Sequence, residues 1–136
     1  ALRHLGGVLE AQGKLEEAEV AYRNALVAEP ALVEAMVDLG SVLERMDRVS
    51  DAHAILSRAM QLQPELASIH HNLGILERRV GDVLKAEQRY VRALELQPDN
   101  SHIWENLLFI LNYHPDKSAQ EIYEAYEEYE RRFGEP

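Results

Sequence analysis

The chain has 136 residues, one ordinary domain's worth, and its 46% hydrophobic and 28% charged content excludes a disordered tract. It has no cysteine, so it can form no disulfide or thiolate site, and no run approaches the roughly 18 apolar residues of a membrane span. Net charge is −10 and uneven: residues 1–94 carry 14 acids against 11 bases, residues 95–136 carry 10 against 3. A phosphate backbone needs the opposite sign, so nucleic acid is not an expected partner, and neither is a membrane.

The chain opens on "ALRHLGGVLE", which reads as helix interior without an initiator methionine, signal peptide or transit-like segment. The expectation is a piece of a longer, cytoplasmic protein. Farther along, Pro30, Pro64 and Pro98 fall 34 residues apart, and blocks of that length align in columns. Leu5, Leu39, Leu73 and Leu107 share one column, and Gly6, Gly40 and Gly74 the next. Ala18, Ala52 and Ala86 align, as do Ala25, Ala59 and Ala93, and Tyr22, Leu56 and Tyr90 form a large apolar column. Each block reads as two short helices, unstable alone, that must pack on each other and on the next block. Gly and Ala mark the closest helix approaches. Gly13 and Gly81 are expected in the left-handed conformation at the turns, with Asp47 in Gly's place in the second block at some strain. Each proline ends a helix.

These columns resemble the tetratricopeptide repeat, whose pattern is W-x2-L-G-x2-Y, then A-x3-F, then P. The first block offers Leu2, Leu5-Gly6, Leu9, Ala18, Tyr22 and Pro30; the second Met36, Leu39-Gly40, Leu43, Ala52, Leu56 and Pro64. The third offers His70, Leu73-Gly74, Glu77, Ala86, Tyr90 and Pro98, and a fourth begins with Trp104, Leu107, Leu108 and Leu111. The resemblance implies an all-α, right-handed superhelical solenoid of about three and a half antiparallel helix pairs with a C-terminal capping helix. The array covers 1–112, divided at 1–32, 33–66, 67–100 and 101–112, and 113–136 forms a turn plus a junction helix. The first helix of each pair would line a concave face that binds a protein or extended peptide.

The apolar stripe of the third block is expected to be Ile69, Leu73, Leu76 and Val80. The opposite face supplies the candidate partner-binding residues Ser68, His71, Asn72, Ile75, Arg78 and Arg79. Its equivalents are Arg3, His4, Gly7 and Glu10 in the first block, Glu34, Val37, Asp38, Ser41, Glu44 and Arg45 in the second, and His102, Glu105, Asn106, Phe109 and Tyr113 in the fourth. Asn72 and Asn106 share a column with His4 and Asp38, and a primary amide can pair with a peptide group as donor and acceptor. Leu2, Leu5 and Leu9 belong to a helix with no repeat before it, so self-association through that face is expected.

The period breaks at "LNYHPDKSAQEIYEAYEEY". His114-Pro115-Asp116 reads as a turn, and Ser118 with Glu121 as a capping box that starts a helix. Ile122, Tyr126, Tyr129 and Phe133 recur as one stripe beside Ala125, with Tyr123 off it. The stretch "LLFILNYHPDKSAQEIYEAYEEYERRF" resembles the junction that follows the repeats in bacterial relatives of SPINDLY and O-linked N-acetylglucosamine transferase. That resemblance implies the substrate-recognition region of a larger glycosyltransferase, with the family's asparagine ladder carried over to Asn72 and Asn106. The alternative is a stand-alone adaptor that bridges proteins. No catalytic or cofactor site is expected in this chain. Adjacent helix residues such as His70 and His71 point about 100° apart and make a poor metal pair.

Overall fold

The structure, a computed structural model, describes residues 1–134; the last two residues of the 113–136 segment lie outside the described residues. Among the described residues the chain forms eight helices and no strand. They are α1 (Leu2–Ala11), α2 (Leu15–Ala28), α3 (Val33–Arg45), α4 (Val49–Leu62), α5 (Ala67–Arg79), α6 (Val83–Leu96), α7 (Ser101–Leu111) and α8 (Ala119–Phe133). Helices α1 and α2, α3 and α4, and α5 and α6 pair as hairpins that stack in chain order.

The turns inside the hairpins are built alike. Lys14 N–H donates to Leu9 O at 2.9 Å, Arg48 N–H to Leu43 O at 2.8 Å and Asp82 N–H to Glu77 O at 2.9 Å. Each closes the helix end through a left-handed residue, at Gly13 (φ 78°), Asp47 (φ 63°) and Gly81 (φ 88°). Asp47 pays a local cost that glycine avoids, and its carboxylate takes an ion pair from Arg79 of the next hairpin.

Packing explains the small residues. A Cβ added to Gly6 would lie 2.4 Å from Tyr22 Cε1, and one on Gly74 2.5 Å from Tyr90 Cε1. Ala18, Ala52, Ala59, Ala86 and Ala93 are fully buried. The resulting core runs from Ala18 through Leu76 and continues from Ala67 to Leu111. Ile69, Leu73 and Leu76 are buried as expected, whereas Val80 is 65% exposed. Helix α5 ends at Arg79, so Val80 is its C-terminal cap and turns away from the stripe.

At the break, Ser118 and Glu121 form the expected capping box. Helix α8 packs Ile122, Ala125 and Tyr129 against the end of the core, and Tyr123 is exposed. Tyr126 departs from the expected stripe: it is exposed, and its hydroxyl accepts from Asn112 Nδ2 at 3.1 Å. His114 holds the turn in place. Its Nδ1 accepts from Asp116 N–H at 3.0 Å, leaving Nε2 to donate to Glu87 of α6 at 3.1 Å.

Candidate partner-binding face

The candidate residues lie on α3, α5 and α7, the first helices of successive hairpins. Side chains there meet at an offset of 35 residues, one repeat plus one position. Arg3 Nε binds Asp38 at 2.7 Å and Arg45 Nη1 binds Glu10 at 3.1 Å. Arg79 Nη1 donates to Glu44 O at 2.7 Å and lies 3.4 Å from the Glu44 carboxylate. Asn106 Nδ2 lies 2.7 Å from His71 Nε2. The same offset recurs because each first helix lies beside its predecessor, shifted by one repeat.

These contacts change the reading of several candidates. Asp38, Arg45 and Arg79 are joined to neighbouring repeats through ion pairs with Arg3, Glu10 and Glu44. Burial raises the Asp38 carboxyl above its ordinary pKa, opposed by Arg3. His71 is half-buried; burial and then the His102 charge hold its imidazole below its ordinary pKa, so it meets the Asn106 amide as a neutral acceptor. Arg78 stacks 5.5 Å from the centre of the Phe109 ring. Ser68 is half-buried; Glu105 accepts from Tyr129 of α8 at 3.0 Å, and that bond raises the phenol's pKa.

Between α3 and α5 lies a small cavity of about 60 Å³, lined by Gly40, Ser41, Glu44, Leu56, Asn72 and Ile75. Ser41, Asn72 and Ile75 are thus brought together, whereas Asn106 is already engaged by His71. Sequence reasoning placed Glu10 and Glu44 on this face but missed their pairing with the next repeat, and it missed Tyr22 as part of the face. Tyr22 donates its hydroxyl to Glu10 at 2.9 Å. The signal was present in the offset between oppositely charged columns. Below the face, His70 and Trp104 share a column and a role: His70 Nε2 bonds Pro64 O at 2.8 Å, and Trp104 Nε1 donates to Pro98 O at 3.1 Å. That accounts for His70 by packing. No helix among the described residues is long and apolar enough to cross a membrane.

Comparison with known proteins bears on what this face is. The tetratricopeptide repeat family model matches residues 9–73. No curated protein matches the chain. Among solved structures, a mutant of the Thermobaculum terrenum O-GlcNAc transferase superposes with a TM-score of 0.92 at 27% identity, covering 98% of this chain and 26% of the transferase. The chain therefore spans about a quarter of that protein's length. MamA from Desulfovibrio magneticus RS-1 superposes with a TM-score of 0.83 at 19% identity, over 96% of this chain and 72% of MamA. The first tetratricopeptide domain of Spaghetti (RPAP3), bound to the HSP90 peptide SRMEEVD, gives 0.78 at 23% identity, over 82% and 89%. These last two likenesses speak to fold alone. With 34-residue columns, paired helices and small residues at the crossings, the chain has the repeat pattern and fold of a tetratricopeptide-repeat array, a scaffold fold for protein–protein interaction.

Proposed function

We propose that the chain binds a protein or extended peptide along the face formed by α1, α3, α5 and α7, and that it is the substrate-recognition portion of a larger glycosyltransferase related to SPINDLY and O-GlcNAc transferase. The observation that carries the second part is the transferase likeness, which extends over 98% of this chain and so includes the junction helix α8. The division into an array over 1–112 and a junction over 113–136 belongs to this reading. Within the face, Asn72 supports peptide recognition. It is half-buried, lines the cavity, and has no protein partner for its amide among the described residues. An amide so placed can accept from and donate to one peptide unit.

The test has two arms. Reading the parent gene past Pro136 should show a glycosyltransferase domain, and a stop codon or unrelated domain there ends the transferase part. Peptides selected from a random library against the chain should lose about tenfold in affinity on Asn72→Ala, the loss of one to two hydrogen bonds. Unchanged affinity would remove Asn72 from the face's function. A second reading, a stand-alone adaptor, is favoured by the way Ile122, Ala125 and Tyr129 close the end of the core. It predicts the stop codon.

A further inference from the structure

The large apolar column reads Tyr22, Leu56, Tyr90, and the middle repeat is the odd one. Around Tyr22 stand Gly6, Gly7 and Glu10: a Cβ on Gly6 would meet the ring at 2.4 Å, one on Gly7 would lie 3.9 Å from the hydroxyl, and that hydroxyl donates to Glu10 at 2.9 Å. One repeat later the same positions are Gly40, Ser41 and Glu44, and they line the cavity beside Leu56. A leucine side chain stops short of where the phenol ends. The cavity is the space that a tyrosine would fill.

Its chemistry narrows the occupant. The floor is apolar, from Leu56, Ile75 and Leu76. At the rim Arg45 is taken by Glu10 and Glu44 by Arg79, so no uncompensated charge calls for a charged ligand. The polar groups left over are the Ser41 hydroxyl and the Asn72 amide. The volume, about 60 Å³, is several times the roughly 10–15 Å³ that admits one water, which leaves room for a small branched side chain.

We infer that this vacated tyrosine site is a side-chain pocket for an uncharged, valine-sized residue of the bound polypeptide, whose adjoining peptide group pairs with Asn72. The inference rests on the peptide-binding reading given above and deepens it. It assigns the second repeat, rather than the first or third, as the position of side-chain selection.

The test uses N-acetyl-valine N-methylamide as the probe, titrated into the isotopically labelled chain and followed by amide chemical shifts. Saturable shifts are expected at Gly40, Ser41 and Ile75, with affinity at least about tenfold above that of the glycine analogue. Lysine and glutamate analogues should bind no better than glycine. Leu56→Tyr should abolish the valine response while melting no lower than the parent, since it restores the pattern of the flanking repeats. Leu56→Phe, which fills the site without needing Glu44, should do the same. No saturable shift in the parent, or parent-like binding of the valine probe by both filled variants, overturns the pocket. Library-selected peptides held equally by the parent and Leu56→Tyr would overturn the pocket and leave the binding face standing. Valine-amide binding without any selected peptide would instead uphold the pocket and sink the polypeptide reading.

Discussion

Asn106 Nδ2 sits 2.7 Å from Nε2 of His71, a side chain one repeat and one residue earlier. The bond needs the imidazole neutral at Nε2, because a protonated ring would turn a second donor toward the amide. Burial and the His102 charge already depress the His71 pKa in the folded chain. The unfolded chain therefore takes up a proton first as pH falls. The contribution of His71 is fully present above the ordinary histidine pKa of about 6.5 and is lost as pH falls from there through the depressed folded value. Unfolding titrations between about pH 7.5 and 5.5 should show falling stability, and His71→Gln should flatten that slope. An unchanged slope in the variant would exclude His71 as its source.

The glycine column makes a graded prediction. At Gly74 an added methyl meets the ring of Tyr90 at 2.5 Å, a buried aromatic whose hydroxyl is unpaired and pushed by burial to a pKa of about 12. At Gly40 the nearest atom, 2.8 Å away, belongs to Leu56, which borders a cavity. Gly74→Ala should cost about 2–3 kcal/mol and Gly40→Ala about 1 kcal/mol less, since only Leu56 has room to move. Chemical denaturation measures both, and equal losses would contradict the packing difference.

Helix α1 shows a face that its successors bury. Leu5 is 47% exposed where Leu39, Leu73 and Leu107 are 0%, 1% and 7%, and Val8 is 42% exposed where Val42 is 0%. We expect this chain to associate through that face, with apparent mass rising as concentration is raised toward millimolar, and Leu5→Glu to weaken the effect. Light scattering that reports a strict monomer throughout would count against it.

Helix α8 depends on its cap more than on burial, since none of its residues is fully buried. Ser118 accepts from Glu121 N–H at 3.1 Å, while Glu121 accepts from Ser118 N–H at 3.2 Å; these bonds lower the Glu121 pKa. Ser118→Ala should destabilise the helix by about 1 kcal/mol. Hydrogen exchange should speed up across 119–133 and stay unchanged in α3 and α5. Global destabilisation of equal size would mean that α8 is integral to the core.

The repeat, its turns and its core columns were legible because each position recurs, so three copies vote on one structural role. Gly13, Asp47 and Gly81 were readable in this way. Val80 and Tyr126 were misplaced because apolar periodicity does not record where a helix ends or what lies opposite its last turn. The candidate face was readable as a set of helix positions. Its internal wiring was not: Arg3 to Asp38 and Arg79 to Glu44 depend on the one-residue shift between neighbouring helices, which a 34-residue alignment hides. The cavity beside Leu56 was written in the column as Tyr, Leu, Tyr, but it becomes visible only once the rings are placed.

The central claim is that partners lie along the first helices of the hairpins. A photo-crosslinking residue placed at Asn72 of α5 and, separately, at Gln88 of α6 tests it with a library-selected peptide. The account predicts crosslinks from position 72 and none from position 88. Crosslinking from α6 alone would contradict it.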